Sequence, residues 1–248
     1  MINKINFKDK TVIVTGATRG IGKKISNDLY KLGANLLLTG TNKNEINILN
    51  KPKNNNIEYL HLDFLKEDSV NSFLEDISKY KKIDGLVNNA GINRLNSIQN
   101  ATIEDWNDIL KVNLSASFLL INKLSKNMIK NSFGRIVNIG SIFGKISKEK
   151  RSIYSASKFG LHGLTVGSSI DLSKYNIFVN TISPGFVNTD LTRKNLSKEE
   201  INQMISKIPV GRLAETKDIS SIVIYLLSDI NSYITGQNII VDGGFSNI

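Results

Sequence analysis

The sequence has no cysteine, which excludes a disulfide scaffold and a thiolate metal site alike. It has only two histidines, His61 and His162, too few for a histidine-rich zinc centre, and no metal is expected. No window approaches the roughly 18 apolar residues of a membrane span. The opening MINKINFKDK has no apolar run before its first charges, so no signal peptide is expected. These absences predict a soluble, cytoplasmic protein with no membrane partner. Positive charge, by contrast, is in excess, with a formal net charge of +10. The lysines are scattered among polar and acidic residues, with no basic arm and no aromatic–basic interleaving. A solvated basic surface is expected, and no nucleic-acid partner.

With 40% hydrophobic residues over 248 positions, the chain has material for a sizeable core. Short apolar runs alternate with longer helical patterns. TVIVTG (11–16), LLLTG (36–40), IEYLHLD (57–63), IDGLVNNAG (83–91), GRIVNIGS (134–141), IFVNTISPG (177–185) and NIIVDGG (238–244) read as strands. Helical patterns fall near 21–33, 67–80, 102–130, 154–174 and 216–228, and KPKNNN (51–56) reads as a loop. Strands regularly separated by helices predict an α/β fold. Its form is a doubly wound, parallel, seven-stranded sheet with helices on both faces, in one domain over residues 1–248.

The first strand runs into TGATRGIG (15–22), a strand–glycine turn–helix context suited to a dinucleotide. Gly16 permits the tight turn, Gly20 lets the backbone approach a pyrophosphate, and Gly22 lets the helix pack on the sheet. The helix N-terminus then offers free N–H groups to the phosphates. An NAD site usually carries an acid at the end of the second strand, whereas an NADP site has basic residues for the 2′-phosphate. Here no carboxylate occurs from Thr39 to Asn44, while Arg19 lies in the turn and Lys43 follows the strand. NADP(H) is therefore expected over NAD(H), with Arg19 either holding the phosphate or standing as a surface arginine.

TGATRGIG, NNAG (88–91), Asn113 in KVNL, Ser141, YSASK (154–158) and PG (184–185) occur in this order. The chain resembles the short-chain dehydrogenase/reductase family over essentially its whole length. Within that family it is most similar to the 3-oxoacyl-[acyl-carrier-protein] reductase group, through IPVGRLAETKDIS (208–220) and SYITGQNIIVDGG (232–244). The resemblance implies a Rossmann-type domain and a reversible carbonyl-to-alcohol oxidoreduction on a small-molecule substrate, with acyl carrier protein as a partner. It implies cofactor contacts from Gly16, Thr18, Arg19, Gly20, Ile21, Gly22 and Thr41. Asp63 is implied at the adenine, with a helix N-cap as its alternative. Asn89, Ala90 and Gly91 are implied at the ribose, and Pro184, Gly185, Val187 and Thr189 at the nicotinamide end. A dehydrogenase of a sugar or polyol is a second reading, and a non-catalytic NADP-binding sensor a remote third.

Tyr154 and Lys158 are four apart, so on a helix they share a face. A carbonyl that gains a hydride needs a proton, and a close ammonium lowers the pKa of a phenol that can supply it. In the family pattern Ser141 polarises the substrate carbonyl. Asn113 positions a water beside Lys158, and Lys158 and Tyr154 also contact the cofactor. Positions where carrier-protein reductases carry basic residues align with Asn131 and Tyr175, beside Lys130 and Lys174. His162 and Trp106 are expected in the core or at an interface, and Glu199 and Glu200 solvated in a lid segment. The family implies a homotetramer, with 102–130 and 154–174 pairing across one interface through Ala156, Gly160 and Gly163. Finally, Lys148, Lys150 and Arg151 precede Tyr154 by three to six residues. They form either an anion-attracting mouth or a solvated charged loop.

Overall fold

A computed structural model describes residues 5–52, 54–189, 192 and 197–247. Its strands are β1 (Thr11–Val14), β2 (Asn35–Gly40), β3 (Ile57–His61), β4 (Gly85–Asn88), β5 (Gly134–Ile139), β6 (Ile177–Pro184) and β7 (Asn238–Val241). They pair in parallel as one sheet in the order β3-β2-β1-β4-β5-β6-β7. Parallel neighbours need long crossovers, and helices fill them. These helices are α1 (Gly20–Lys31), α2 (Lys43–Leu49), α3 (Glu67–Ser78), α4 (Ile103–Leu110), α5 (Ala116–Lys130), α6 (Ser152–Leu172), α7 (Lys198–Ile205) and α8 (Thr216–Leu227). The architecture is the one the alternation of strand and helix patterns predicts.

Alternate strand residues serve opposite faces. Val12, Val14, Leu36, Leu38, Val137 and Ile139 pack with Ile25 and Leu29 of α1 and with Ile219 and Val223 of α8. Ile13, Leu37 and Ile136 point the other way, against Phe73 and Ile77 of α3 and Leu120 and Leu124 of α5. Both faces are covered, which is why these strands read as unbroken apolar runs.

The order of strands reverses at β1, with β2 and β3 on one side and β4 to β7 on the other. The loops that follow β1 and β4 therefore diverge, and a cleft opens at the carboxyl edge of the sheet. Three elements depart from the periodicity. The 102–130 pattern predicts one helix, but a π-helical turn at Lys111–Ser115 separates α4 from α5. A single added residue keeps the chain helical, so periodicity does not reveal the break. The short α2 and α7 also lie outside the predicted helical patterns. Asn42 caps α2 by accepting from the N–H groups of Asn44 and Glu45, and a Ser197–Glu200 capping box starts α7.

Candidate active site

Gly16 and Gly20 take φ of 63° and 56°, a region that other residues enter at a cost. Gly16 lies close under the loop after β4, where an added Cβ would stand 3.1 Å from Ala90 Cα. Gly22 has an ordinary φ but no room, since its Cβ would come within 2.4 Å of Gly16 O and 2.5 Å of Asn89 Nδ2. The Asn89 amide causes this closeness by donating to the carbonyls of Thr15 (2.8 Å) and Gly16 (3.0 Å). In return, Thr15 Oγ1 accepts from the N–H groups of Asn89 (2.9 Å) and Ala90 (3.0 Å). Helix α1 starts at an exposed Arg19 N-cap, with no capping side chain and no acid in its first turn. Its leading N–H groups and the positive end of its dipole remain available to an anion. Ile21 packs on the core behind the turn. Thr18 lies against Gly40, whose added Cβ would be 2.6 Å from Thr18 Cγ2. Thr189 faces Gly20 across the cleft, 3.8 Å from the position of its Cβ.

At the end of β2, Arg19, Thr41 and Lys43 are exposed. The nearest acid, Glu45, lies in the first turn of α2 and acts electrostatically on Tyr59 of β3. His61 joins Thr41 to α3, with Nε2 3.1 Å from Thr41 O and Nδ1 2.9 Å from Ser69 Oγ. The Thr41 carbonyl can only accept, so in the neutral ring Nε2 carries the proton and Nδ1 accepts from Ser69 Oγ, which itself accepts from the Asp63 N–H at 3.0 Å. Asp63 is not the N-cap of α3, a position held by Lys66. Its Oδ1 accepts from the Leu65 N–H at 3.1 Å instead, an Asx turn that sets the start of the helix three residues later.

Tyr154 and Lys158 share one face at the start of α6. Lys158 Nζ lies 5.7 Å from the Tyr154 ring centroid and donates to Ile139 O, at the end of β5, at 2.8 Å. Lys158 is buried without an ion-pair partner among the described residues, and burial lowers its pKa to about 8. Ser141 follows Gly140, just beyond the end of β5; its hydroxyl accepts from the Phe143 N–H at 3.2 Å and lowers the pKa of the Tyr154 hydroxyl. Burial raises the Tyr154 pKa, while the Ser141 bond and the Arg151 guanidinium pull it down. Two cations flank the phenol: Lys158, with Nζ 5.7 Å from the ring centroid, and Arg151, with Cζ 5.9 Å away, which also lowers the Tyr154 pKa. Lys158 gives one of its three N–H groups to Ile139 O and keeps the others for a ligand or water.

Asn113 sits in the π-helical turn. Its Oδ1 accepts from the Ile92 N–H at 2.8 Å, and its Nδ2 donates to Ile92 O (2.9 Å) and Ser157 Oγ (3.1 Å). The amide ties the loop after β4 to α6. An added Cβ on Gly91 would lie 3.3 Å from Asn113 Oδ1 and 3.8 Å from Lys158 Nζ, so these three residues meet. Pro184 ends β6, Gly185 passes too close to Asp242 to carry a side chain, and Val187 bridges to Ala214.

The motifs do not point to the buried polar chain that holds α6 on the sheet. Asn88 Nδ2 donates to Asn138 Oδ1 at 2.8 Å, and Asn138 Nδ2 donates to Thr165 Oγ1 at 2.8 Å. Thr165 Oγ1 lies 2.7 Å from Thr181 Oγ1. Asn88, Asn138 and Thr181 are polar residues inside buried strands that also hold Arg135, Asn180 and Ser183, so polarity within a strand does not single them out. A satisfied buried network fixes one seating of the helix, and hence of Tyr154.

Beside Tyr154 opens a cavity of about 390 Å³, lined by Phe143, Ile146, Phe186, Met204 and Phe245, with Lys148 and Lys207 also on its walls. The aromatic rings meet edge to face: Tyr154 with Phe143 at 6.4 Å, Phe143 with Phe186 at 6.4 Å, and Phe186 with Phe245 at 5.1 Å. Glu200 reaches the same cavity through its capping box. Trp106 is 42% exposed on α4, so it is not a core residue.

A family model described as "Enoyl-(Acyl carrier protein) reductase" matches residues 16–246. The chain is 37% identical over 241 residues to the 3-oxoacyl-[acyl-carrier-protein] reductase FabG of Escherichia coli (strain K12), covering 97% of this chain and 98% of that protein. It belongs to the short-chain dehydrogenase/reductase family. This short-chain dehydrogenase/reductase is an oxidoreductase acting on alcohol and ketone groups. It is also 38% identical over 252 residues to the FabG of Aquifex aeolicus (strain VF5), covering 97% and 99% of the two chains. Among solved structures it is similar to a putative NAD(P)-dependent gluconate 5-dehydrogenase from Beutenbergia cavernae with bound NADP (TM-score 0.90, 28% identity, 98% and 99% covered). A gluconate 5-dehydrogenase from Burkholderia cenocepacia J2315 in complex with NADP and tartrate is similar too (TM-score 0.90, 25% identity, 98% and 97% covered).

Proposed function

We propose that this protein is an NADP(H)-dependent reductase that reversibly converts a carbonyl to an alcohol, with a 3-oxoacyl thioester on acyl carrier protein as its leading substrate class. The carrying observation is the buried Tyr154 hydroxyl, whose pKa Ser141 lowers, one turn from the buried Lys158 at the carboxyl edge of the sheet. The cleft suits a dinucleotide: the glycine turn leaves no room for side chains, and α1 has no cap and no acid in its first turn. Gly16, Thr18, Gly20, Ile21 and Gly22 would hold the pyrophosphate. Arg19 and Thr41 would hold the adenosine ribose and its 2′-phosphate, with Asp63 at the adenine. Asn89, Ala90 and Gly91 would hold the ribose, and Pro184, Gly185, Val187 and Thr189 the nicotinamide. When bound, the nicotinamide supplies or accepts the hydride. Tyr154 gives the carbonyl oxygen its proton, Ser141 holds that oxygen, and Lys158 holds the cofactor ribose. The Asn113 amide is committed to Ile92 and Ser157, so its part in ordering water falls to its backbone.

The relatives named 3-oxoacyl-[acyl-carrier-protein] reductase favour the thioester. A sugar-acid or polyol substrate is the second reading. It is favoured by the gluconate dehydrogenase neighbours and by the absence of a basic side chain at Asn131 and Tyr175. NADPH consumption with acetoacetyl thioester, free and on acyl carrier protein, against 5-ketogluconate and oxidised polyols tests the choice. No turnover of any carbonyl would overturn the reading as a whole.

The protein acts as one domain over residues 1–248, in the cytoplasm, as a homotetramer. No helix among the described residues is long and apolar enough to cross a membrane. For the tetramer, Phe159, Val166 and Ile170 are exposed on α6 beside Gly163 and Gly167, with open space above both glycines. Gly160 is not part of this stripe, since an added Cβ would lie 2.9 Å from Leu114 of its own chain.

A further inference from the structure

Resting on the carbonyl-reductase reading, and favouring its sugar-acid form over the carrier-bound thioester, we infer that Arg151 is a substrate-anion receptor: the natural substrate carries, close to its carbonyl, a carboxylate or phosphate that this guanidinium grips while Tyr154 addresses the carbonyl. Arg151 lies at the N-cap position of α6, three residues before Tyr154. Its guanidinium stands 5.1 Å from the Phe143 ring centroid and 5.9 Å from that of Tyr154. The loop that delivers it is pinned back onto α6 by the Ser147–Ser155 hydroxyl pair at 2.8 Å. The Arg151 carbonyl accepts the Ser155 N–H at 2.7 Å. Phe143, on which Arg151 stacks, lines the cavity beside Tyr154.

Arg151 forms no ion pair with a carboxylate among the described residues, whereas Arg94 pairs with Asp105 and Asp108 and Arg212 with Asp218. It is also partly desolvated, and that burial lowers its pKa. A desolvated cation that lacks an internal anion is costly unless a ligand supplies one. Guanidinium suits the need, since its fork of donors grips carboxylate or phosphate through two parallel bonds. The apolar floor at Phe143, Ile146 and Phe186 takes the uncharged part of the substrate.

Two matched substrate pairs test this with NADPH: acetoacetate against ethyl acetoacetate, and dihydroxyacetone phosphate against dihydroxyacetone. The wild type should favour the charged member of at least one pair in kcat/KM, and that pair names the anion. In Arg151→Gln the charged-to-neutral ratio should collapse by about 10- to 100-fold, the scale of a charged hydrogen bond. Arg151→Lys should keep part of the preference. A wild type without preference, or a variant that loses charged and neutral substrates equally, overturns the inference; equal loss would mean that Arg151 serves Tyr154 alone. Turnover of the neutral members reports on the carbonyl-reductase reading separately. A second arm needs no turnover. Binding of acetoacetate and of dihydroxyacetone phosphate to the NADP⁺-loaded protein, read by calorimetry, should weaken at least 10-fold in Arg151→Gln for the named anion. Binding of neither, or equal binding by both proteins, also overturns it.

Discussion

Replacing Lys158 by Met should make the cofactor-free protein more stable at neutral pH, although it removes a residue of the active site. Lys158 is 5% exposed, holds one hydrogen bond to Ile139 O, and its pKa falls from the ordinary 10.5 to about 8. Folding therefore works against the ammonium. Below pH 8 both folded and unfolded chains carry the proton, and the full penalty applies. Between the two pKa values only the unfolded chain stays protonated, so the penalty is relieved as pH rises from 8 toward 10.5. The shift corresponds to about 3 kcal/mol at pH 7 and under about 1 kcal/mol at pH 10. Loss of the hydrogen bond returns roughly 1 kcal/mol, leaving Lys158→Met ahead by about 2 kcal/mol at pH 7. For a chain of this size that is a rise in Tm of roughly 4–8 °C. The assay is calorimetric or urea unfolding of both proteins, cofactor-free and at equal concentration, across pH 7 to 10. The stabilisation should fade with pH and reverse near pH 10. A variant less stable than wild type at pH 7, or a difference that ignores pH, would refute the placement of an uncompensated ammonium at this site.

Tyr154→Phe should cut kcat by at least ~10²-fold while NADPH affinity, followed by fluorescence, stays close to wild type; near-normal turnover would remove Tyr154 from its role as proton donor. Arg19→Ala should weaken NADPH by about 1–3 kcal/mol and leave NADH nearly untouched, checked by paired kcat/KM values. Equal losses for both cofactors would mean that Arg19 does not read the 2′-phosphate. Ile170→Glu places a charge on the exposed stripe of α6 and should lower the mass measured by light scattering. A monomeric wild type at micromolar concentration would contradict the tetramer outright.

Much of the site is legible because its chemistry depends on spacing along the chain. Tyr154 and Lys158 need one helical turn between them, and a glycine turn needs glycine at 16 and 20, so one-dimensional patterns carry both. Contacts between distant segments are less legible. Nothing near Lys158 in the chain indicates that one of its N–H groups goes to Ile139 O, because that partner lies on β5, nineteen positions away. Gly160 looks like a place for a neighbouring helix to approach, yet Leu114 of the same chain fills it. The role of Asp63 depends on which residue caps α3: the helix starts at Glu67 as the pattern predicts, but Lys66 is its N-cap and Asp63 instead makes an Asx turn before it. The Asn88–Asn138–Thr165–Thr181 chain spans three strands and a helix, and no local motif announces it.

The π-helical turn at Lys111–Ser115 has a further consequence, one of phase. One surplus residue advances a helix by roughly 100°, a little over a quarter turn. Everything from Ala116 onward is therefore rotated about the axis relative to an uninterrupted continuation of α4. The surplus also turns Asn113 inward, where Ile92 and Ser157 engage it. Deleting one residue here would heal the helix and rephase one side of it. Either Leu120 and Leu124 leave the core, or Asn113 leaves the loop after β4. The irregularity thus acts as a gear between a packing requirement downstream and a chemical one at its centre, and a regular helix can satisfy only one of them.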